Sequence, residues 1–166
     1  MTSREDITSF VHGHQTRLVR FGYLLTGEQA AAEDLVQSAL LETIRRWDSI
    51  TQRDSAEAYV RRAMVNKQRS VWRRRSSTEH LRAEMPDTAT PDRTGQIDDL
   101  DVLQRALLQL PARQRAAVVL RFYEDLSEAQ TAVVLDCSVG NVKSQTSRGI
   151  ARLRTLLNEG DTHAVR

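Results

Sequence analysis

Between residues 141 and 157 the chain carries Lys143, Arg148, Arg152 and Arg154 and no acidic residue, with Asn141, Ser144, Gln145 and Ser147 set among the cations. A short helix presenting cations and small polar groups together is suited to a DNA major groove, where phosphates flank base edges that offer donors and acceptors. A second run, residues 61–75, holds seven Lys or Arg and no acid. It interleaves Asn66, Gln68 and Ser70, with the aromatic Trp72 inside the run and Tyr59 two residues before it. Each cation that neutralises a phosphate adds a salt-sensitive increment to binding. Seven cations with no acid inside the run point to a polyanionic partner. An aromatic face that stacks on an unpaired base contributes about 1–3 kcal/mol. The alternative is a solvated helix with Tyr59 and Trp72 in the bundle core, which for Trp72 fits at least as well.

Residue types that do covalent chemistry are poorly placed by comparison. His12 and His14 are two apart and so point to different faces of a helix, and Glu33 and Asp34 have no histidine at metal-ligand spacing. No H-E-x-x-H, phosphate loop or nucleophile elbow occurs, so neither an enzyme nor a metal or cofactor site is expected. Cys137 is the single cysteine and cannot form an internal disulfide, which fits a reducing cytosol. No run approaches a membrane span of about 20 apolar residues, and the first ten residues lack the apolar stretch of a signal peptide, so no membrane insertion and a cytoplasmic location are expected.

The elements that must position the two basic runs read as helical almost throughout. Ile7, Phe10, Val11, His14, Leu18, Phe21 and Leu25 keep the spacing of one helical face, between a Ser3-x-x-Asp6 start and a Thr26-Gly27 stop. A second helix is predicted over about residues 28–47, with Ala31, Leu35, Val36, Ala39, Leu40, Ile44 and Trp47 inward. A third runs from a cap at Asp54 through Val60, Met64 and Val65 into the arginines ending at Arg75. These three form a compact bundle, residues 1–75. Residues 76–97 hold Pro86, Pro91 and several Ser and Thr without a sustained period, and read as a flexible acidic linker. Seven acids against two arginines in residues 79–101 directly follow the basic run, so the two blocks belong to different surfaces.

Four helices are predicted over residues 98–158, followed by a tail at 159–166. The first covers about 99–110; Pro111 opens the next, which carries Ala116, Val119, Leu120 and Phe122. Residues 127–157 then read as a helix-turn-helix. Ser127 and Gln130 stand in the S-x-x-Q capping-box pattern, Ala132 is small enough for a close crossing, and Val133 or Val134 faces inward with Leu135. Asp136-Cys137-Ser138 breaks the run and Ser138 caps the last helix, whose Val139, Val142, Ile150, Leu153 and Leu157 form its apolar stripe. The fold class is all-α. At 166 residues and 40% apolar content the chain can pack two small cores, and its net charge of +2 hides the segregation of its charges.

Three segments, LTGEQAAAEDLVQSALLETIRRW, AYVRRAMVNKQRSVWRRR and LPARQRAAVVLRFYEDLSEAQTAVVLDCSVGNVKSQTSRGIARLR, resemble regions 2 and 4 of a bacterial sigma-70 factor. A layout without region 1 or a full region 3 is similar to the extracytoplasmic-function (ECF) group, in its actinobacterial SigE-like type. The resemblance implies that residues 1–75 are region 2 and 98–158 region 4 of a factor that directs core RNA polymerase to promoters and melts them. It implies that Glu33, Asp34, Leu35 and Gln37 bind the clamp coiled coil of the polymerase largest subunit. Asn66 would read the promoter −10 element, supported by Tyr59, Lys67, Arg69 and Arg73. Asn141, Lys143, Ser144, Gln145, Ser147 and Arg148 would read the −35 element. The polymerase flap would seat the helix after Pro111, and an anti-sigma protein would be the usual regulator. Three departures stand out: Gln145 where arginine is common, Asp136 at a turn position often held by glycine, and Thr131 for a frequent aliphatic residue. The alternative is a LuxR-like regulator that binds an operator without polymerase; it gives no reason for the A-E-D-L-V-Q element or the basic third helix.

Overall fold

The computed structural model describes residues 3–50, 53–79 and 99–163. Among the described residues seven α-helices run in order: α1 (Ser3–Thr26), α2 (Gln29–Arg45), α3 (Arg53–Glu79), α4 (Asp99–Leu108), α5 (Ala112–Val118), α6 (Glu128–Leu135) and α7 (Val139–His163). A single 3₁₀ turn (Trp47–Ser49) follows α2, and a π-helical turn (Val119–Tyr123) extends α5. Most of the expected linker, residues 80–98, lies outside the described residues, although α3 continues four residues into it, to Glu79.

Helices α1, α2 and α3 close on Phe21, Leu25, Val36, Val60, Met64 and Val65, all fully buried. The α1 stop falls where expected, and Gly27 is needed there twice over. Its φ of +77° is in the left-handed region, and a Cβ would come within 2.4 Å of Leu108. Helix α2 is rotated from the predicted face: Ala32 and Thr43 are buried, Ala31 is half-buried and Ile44 is exposed. Thr43 can lie inside because its hydroxyl donates to the Ala39 carbonyl at 2.8 Å, which removes the cost of burying it unpaired. Helix α3 already includes Arg53, so Asp54 stands in its first turn instead of preceding it.

The remaining helices surround Ala116, Ala117, Leu120, Val134 and Val142. The π-turn was not predicted, and it explains one reversal. An i→i+5 bond, Glu124 N–H to the Val119 carbonyl at 3.1 Å, inserts an extra residue into the helical phase, so Phe122 points out (63% exposed) while Glu124 turns in. Helices α5 and α7 touch at Gly149, where a Cβ would lie 2.7 Å from Val118 Cγ2. Of the predicted apolar stripe on α7, Val142 and Leu153 are buried and Ile150 and Leu157 half-buried, whereas Val139 at the first turn is exposed.

The two halves pack directly on one another. Arg115 is one of the side chains that join them: its guanidinium donates across to the Leu25 carbonyl at 2.9 Å and, within its own half, to the carbonyls of Leu107 and Leu108 at 2.9 Å and of Leu110 at 3.1 Å. It thereby answers the unpaired carbonyls at the ends of both α1 and α4 and lies 5.7 Å from the Trp72 ring centre on α3. Gln104 adds a bond to the Tyr23 carbonyl at 2.8 Å.

Candidate nucleic-acid and polymerase interfaces

The helix-turn-helix is built as the sequence predicts. The Ser127 hydroxyl accepts from Gln130 N–H (3.1 Å) and the Gln130 side chain accepts from Ser127 N–H (2.8 Å). This fixes the start of α6. Val134 and Leu135 are its inward pair, and Val133 is 64% exposed. The turn passes through Asp136 in the left-handed conformation (φ 52°, ψ 53°), the geometry for which glycine is the least strained residue. Ser138 Oγ then accepts from Asn141 N–H at 3.0 Å and starts α7. Thr131 is fully buried, and its hydroxyl has no hydrogen-bond partner among the described residues.

Burial of Val142 and Leu153 fixes which side of α7 faces out. Lys143, Ser147 and Arg148 are exposed, as are Arg152 and Arg154, while Asn141, Ser144 and Gln145 are half-buried. Asn141 and Gln145 line a crevice of about 40 Å³ that Arg69 and Trp72 of α3 close from the other side. Three residues predicted for different DNA surfaces thus meet in one place. Arg69 is held there by a 2.9 Å bond to the Leu135 carbonyl at the end of α6. Lys143 Nζ stands 3.7 Å from Glu128 Oε2 on α6.

On α3, Asn66 and Arg73 are exposed. Tyr59 and Lys67 are drawn together by a residue that sequence reasoning missed, Glu42 of α2. Its Oε1 accepts from the Tyr59 hydroxyl at 3.2 Å, and its Oε2 is 3.2 Å from Lys67 Nζ. The Lys67 bond holds the Glu42 carboxyl below its ordinary value of 4.5. Burial, followed by the nearby carboxylate, pushes the Tyr59 hydroxyl up. No motif joins Glu42 to Lys67, and only the packing of α2 on α3 reveals the pair.

Glu33, Asp34 and Gln37 project from the exposed side of α2, where Glu33 accepts from Gln29 Nε2 at 2.9 Å. Leu35 is buried in the bundle, and what remains of its surface lies in the groove between α2 and α3. Asp34 borders a groove of about 550 Å³ between α2 and α3 whose opposite wall includes Lys67, Arg74 and Arg75.

A second missed group is a charge cluster between the two halves. Arg61 of α3 bonds Glu124 (Nε to Oε2, 2.5 Å), and both side chains are nearly fully buried. Arg61 also bonds Glu57, and Arg17 of α1 reaches Glu124 at 3.5 Å and Glu57 at 3.8 Å. His14 belongs to this cluster, with Nε2 3.8 Å from Glu57 Oε2 and its ring stacked on Phe10, while His12 is exposed. No helix among the described residues is long and apolar enough to cross a membrane.

Comparison with known proteins places these surfaces in a family. Residues 10–78 match the model of Sigma-70 region 2, and residues 100–153 match that of Sigma-70, region 4. The RNA polymerase sigma-E factor of Streptomyces avermitilis is 38% identical over 159 residues, covering 96% of this chain and 89% of that protein. Its namesake in Streptomyces coelicolor is 36% identical, covering 96% and 90%. The ECF RNA polymerase sigma factor SigM of Mycobacterium tuberculosis is 34% identical over 145 residues, covering 87% and 73%. Among solved structures, the sigma factor RpoE of Bartonella quintana, in complex with the anti-sigma factor NepR, superposes with a TM-score of 0.76 at 26% identity, covering 93% of this chain and 98% of that one. The match over residues 10–78 gives to Sigma-70 region 2 the stretch that an operator-binding regulator would use as its helical sensor. The chain belongs to the sigma-70 family, in its ECF group beside the sigma-E factors of Streptomyces, and is an RNA polymerase sigma factor of promoter recognition and transcription initiation, not an enzyme.

Proposed function

We propose that the chain divides a sigma factor's work between surfaces on its two halves. Residues 1–75 load onto core RNA polymerase through the exposed edge of α2, with Glu33, Asp34 and Gln37 meeting the clamp coiled coil over a base set by Leu35. An acidic edge beside apolar surface suits a basic partner helix pair. The same half takes the −10 element on α3, with Asn66 at the bases and Tyr59, Lys67, Arg69 and Arg73 in support. A base flipped into a pocket would return the energy of unstacking. Residues 98–158 take the −35 element through Lys143, Ser147 and Arg148, joined by Asn141, Ser144 and Gln145, and sit on the polymerase flap. Residues 76–97 tether the two contacts, which raises the effective concentration of the second once the first is made. The work is done in the cytoplasm, and an anti-sigma protein holds the factor in check, as the solved Bartonella relative is bound to one.

The observation that carries this reading is the exposure of Lys143, Ser147 and Arg148 opposite the buried Val142 and Leu153, on a helix with no acid from residue 141 to 157. Its test compares two variants in one assay. Lys143→Ala with Arg148→Ala should lower promoter-dependent transcription by about tenfold or more while leaving affinity for core polymerase unchanged. Asp34→Ala should weaken core binding first. Equal loss of both activities in both variants would refute the division.

A further inference from the structure

Lys67 and Lys143 are the only lysines in the chain, and the other cationic side chains of these faces are arginines. One lysine lies in each basic surface, and each meets a glutamate from the neighbouring helix: Lys67 with Glu42 of α2 at 3.2 Å, Lys143 with Glu128 of α6 at 3.7 Å. All four side chains remain more than a third exposed, so these pairs are not core ion pairs.

From this repeated geometry we propose that Glu42 and Glu128 are specificity-determining residues that occupy the two lysines as internal substitutes for phosphate and so suppress binding to non-promoter DNA. The inference rests on the reading that these two surfaces take promoter DNA. A lysine that contacts a phosphate must first leave its carboxylate. On a promoter, base contacts and polymerase hold the chain in register, and the exchange is made. On random DNA nothing compensates, and the lysine stays with its glutamate. Lysine suits the exchange because its ammonium is a point charge on a flexible stem, whereas an arginine fork locks onto a carboxylate through two parallel bonds. Exposed pairs of this kind are weak enough to exchange and strong enough to bias non-specific binding by a few-fold.

Neither carboxylate is stranded when its lysine leaves. Glu42 keeps the Tyr59 hydroxyl at 3.2 Å. Glu128 is the first residue of α6, where the helix N-terminus favours negative charge. Each pair can therefore open and close without disturbing the fold, and the Glu42→Gln change preserves an acceptor for Tyr59.

The test uses the full-length chain, alone and as holoenzyme, with a random-sequence duplex and with a promoter duplex over a range of salt concentrations. The variants are Glu42→Gln, Glu128→Gln and the double substitution, with Glu5→Gln on the exposed start of α1 as a charge-matched control. Each site variant should bind random duplex about two- to fivefold more tightly than the control, with a log–log salt slope steeper by about 0.9 for the lysine released. Promoter affinity should change less, so that the promoter-to-random ratio falls. Adding Lys67→Ala to Glu42→Gln should return the slope to that of the unaltered chain, a result that loss of helix packing would not produce. Slopes and ratios indistinguishable from the control, in a holoenzyme that still initiates at promoters, would overturn the masking role alone. Failure of the unaltered holoenzyme to initiate would overturn the DNA reading beneath it as well.

Discussion

Arg115 shows how much one side chain carries here. Burial disfavours its charge and lowers its pKa, and four carbonyl contacts with the Trp72 face hold it in place regardless. Arg115→Ala would leave those carbonyls without partners, and should cost about 2–4 kcal/mol in urea unfolding. Arg115→Lys should recover only part of this, since an ammonium cannot span a fork of carbonyls. Equal stability of Arg115→Ala and the unaltered chain would mean that the carbonyls find other donors. The sequence places Arg115 on a helix but says nothing of its partners, because Leu25 lies 90 residues away and the contact arises only when the two halves close. The Arg61–Glu124 bond was hidden for the same reason, with a separation of 63 residues and an unpredicted π-turn that turns Glu124 inward. The basic surfaces, by contrast, were visible because absence of acid is a local property of the chain.

At the scale of the helix, local signals proved the most legible. The Ser127–Gln130 box, the Gly27 stop and the Ser138 cap are all made as the residues predict, since each closes within a few positions. Periodicity placed the helices but gave their faces less well: Thr43 and Ile44 exchange roles because a threonine hydroxyl can be satisfied by its own helix. The three departures from the family pattern have physical counterparts. Asp136 sits in the left-handed region, so Asp136→Gly should stabilise the chain by about 0.5–1 kcal/mol. Thr131→Val replaces a buried, unpaired hydroxyl with a methyl of similar volume and should stabilise it by about 1 kcal/mol. Gly149→Ala should destabilise it by about 1–3 kcal/mol, because Val118 blocks the added Cβ. Thermal or urea unfolding of the three variants checks the signs, and a stabilising Gly149→Ala would contradict the close crossing of α5 and α7. Gln145, the third departure, faces the crevice beside Arg69 instead of open solvent, which limits its contact with DNA in this arrangement.

For the whole molecule the packed halves set a geometric condition. Elements named −10 and −35 are about 25 base pairs apart, which at about 3.4 Å per pair is ~85 Å along a duplex. Arg69, proposed above to support the −10 contacts, donates to the Leu135 carbonyl at the end of α6 at 2.9 Å. On the proposed assignment of the two surfaces, one closed body does not reach both elements, and the halves are expected to separate to engage them. With Cys137→Ser as background, labels at Ser49 and Ala151, both exposed, should report one short distance in the free chain and a longer one once core polymerase is bound. Glu124→Gln, which leaves Arg61 without a full counter-charge across the interface, should shift the free chain toward the longer distance. An unchanged distance in the holoenzyme would show that the closed form is itself the working one.

The most direct test of the account is transcription from a genomic fragment library by purified core RNA polymerase, with and without this chain. It predicts new start sites that depend on the chain, share two upstream motifs and are lost with Lys143→Ala and Arg148→Ala. Absence of new starts, together with duplex binding that needs no polymerase, would contradict it.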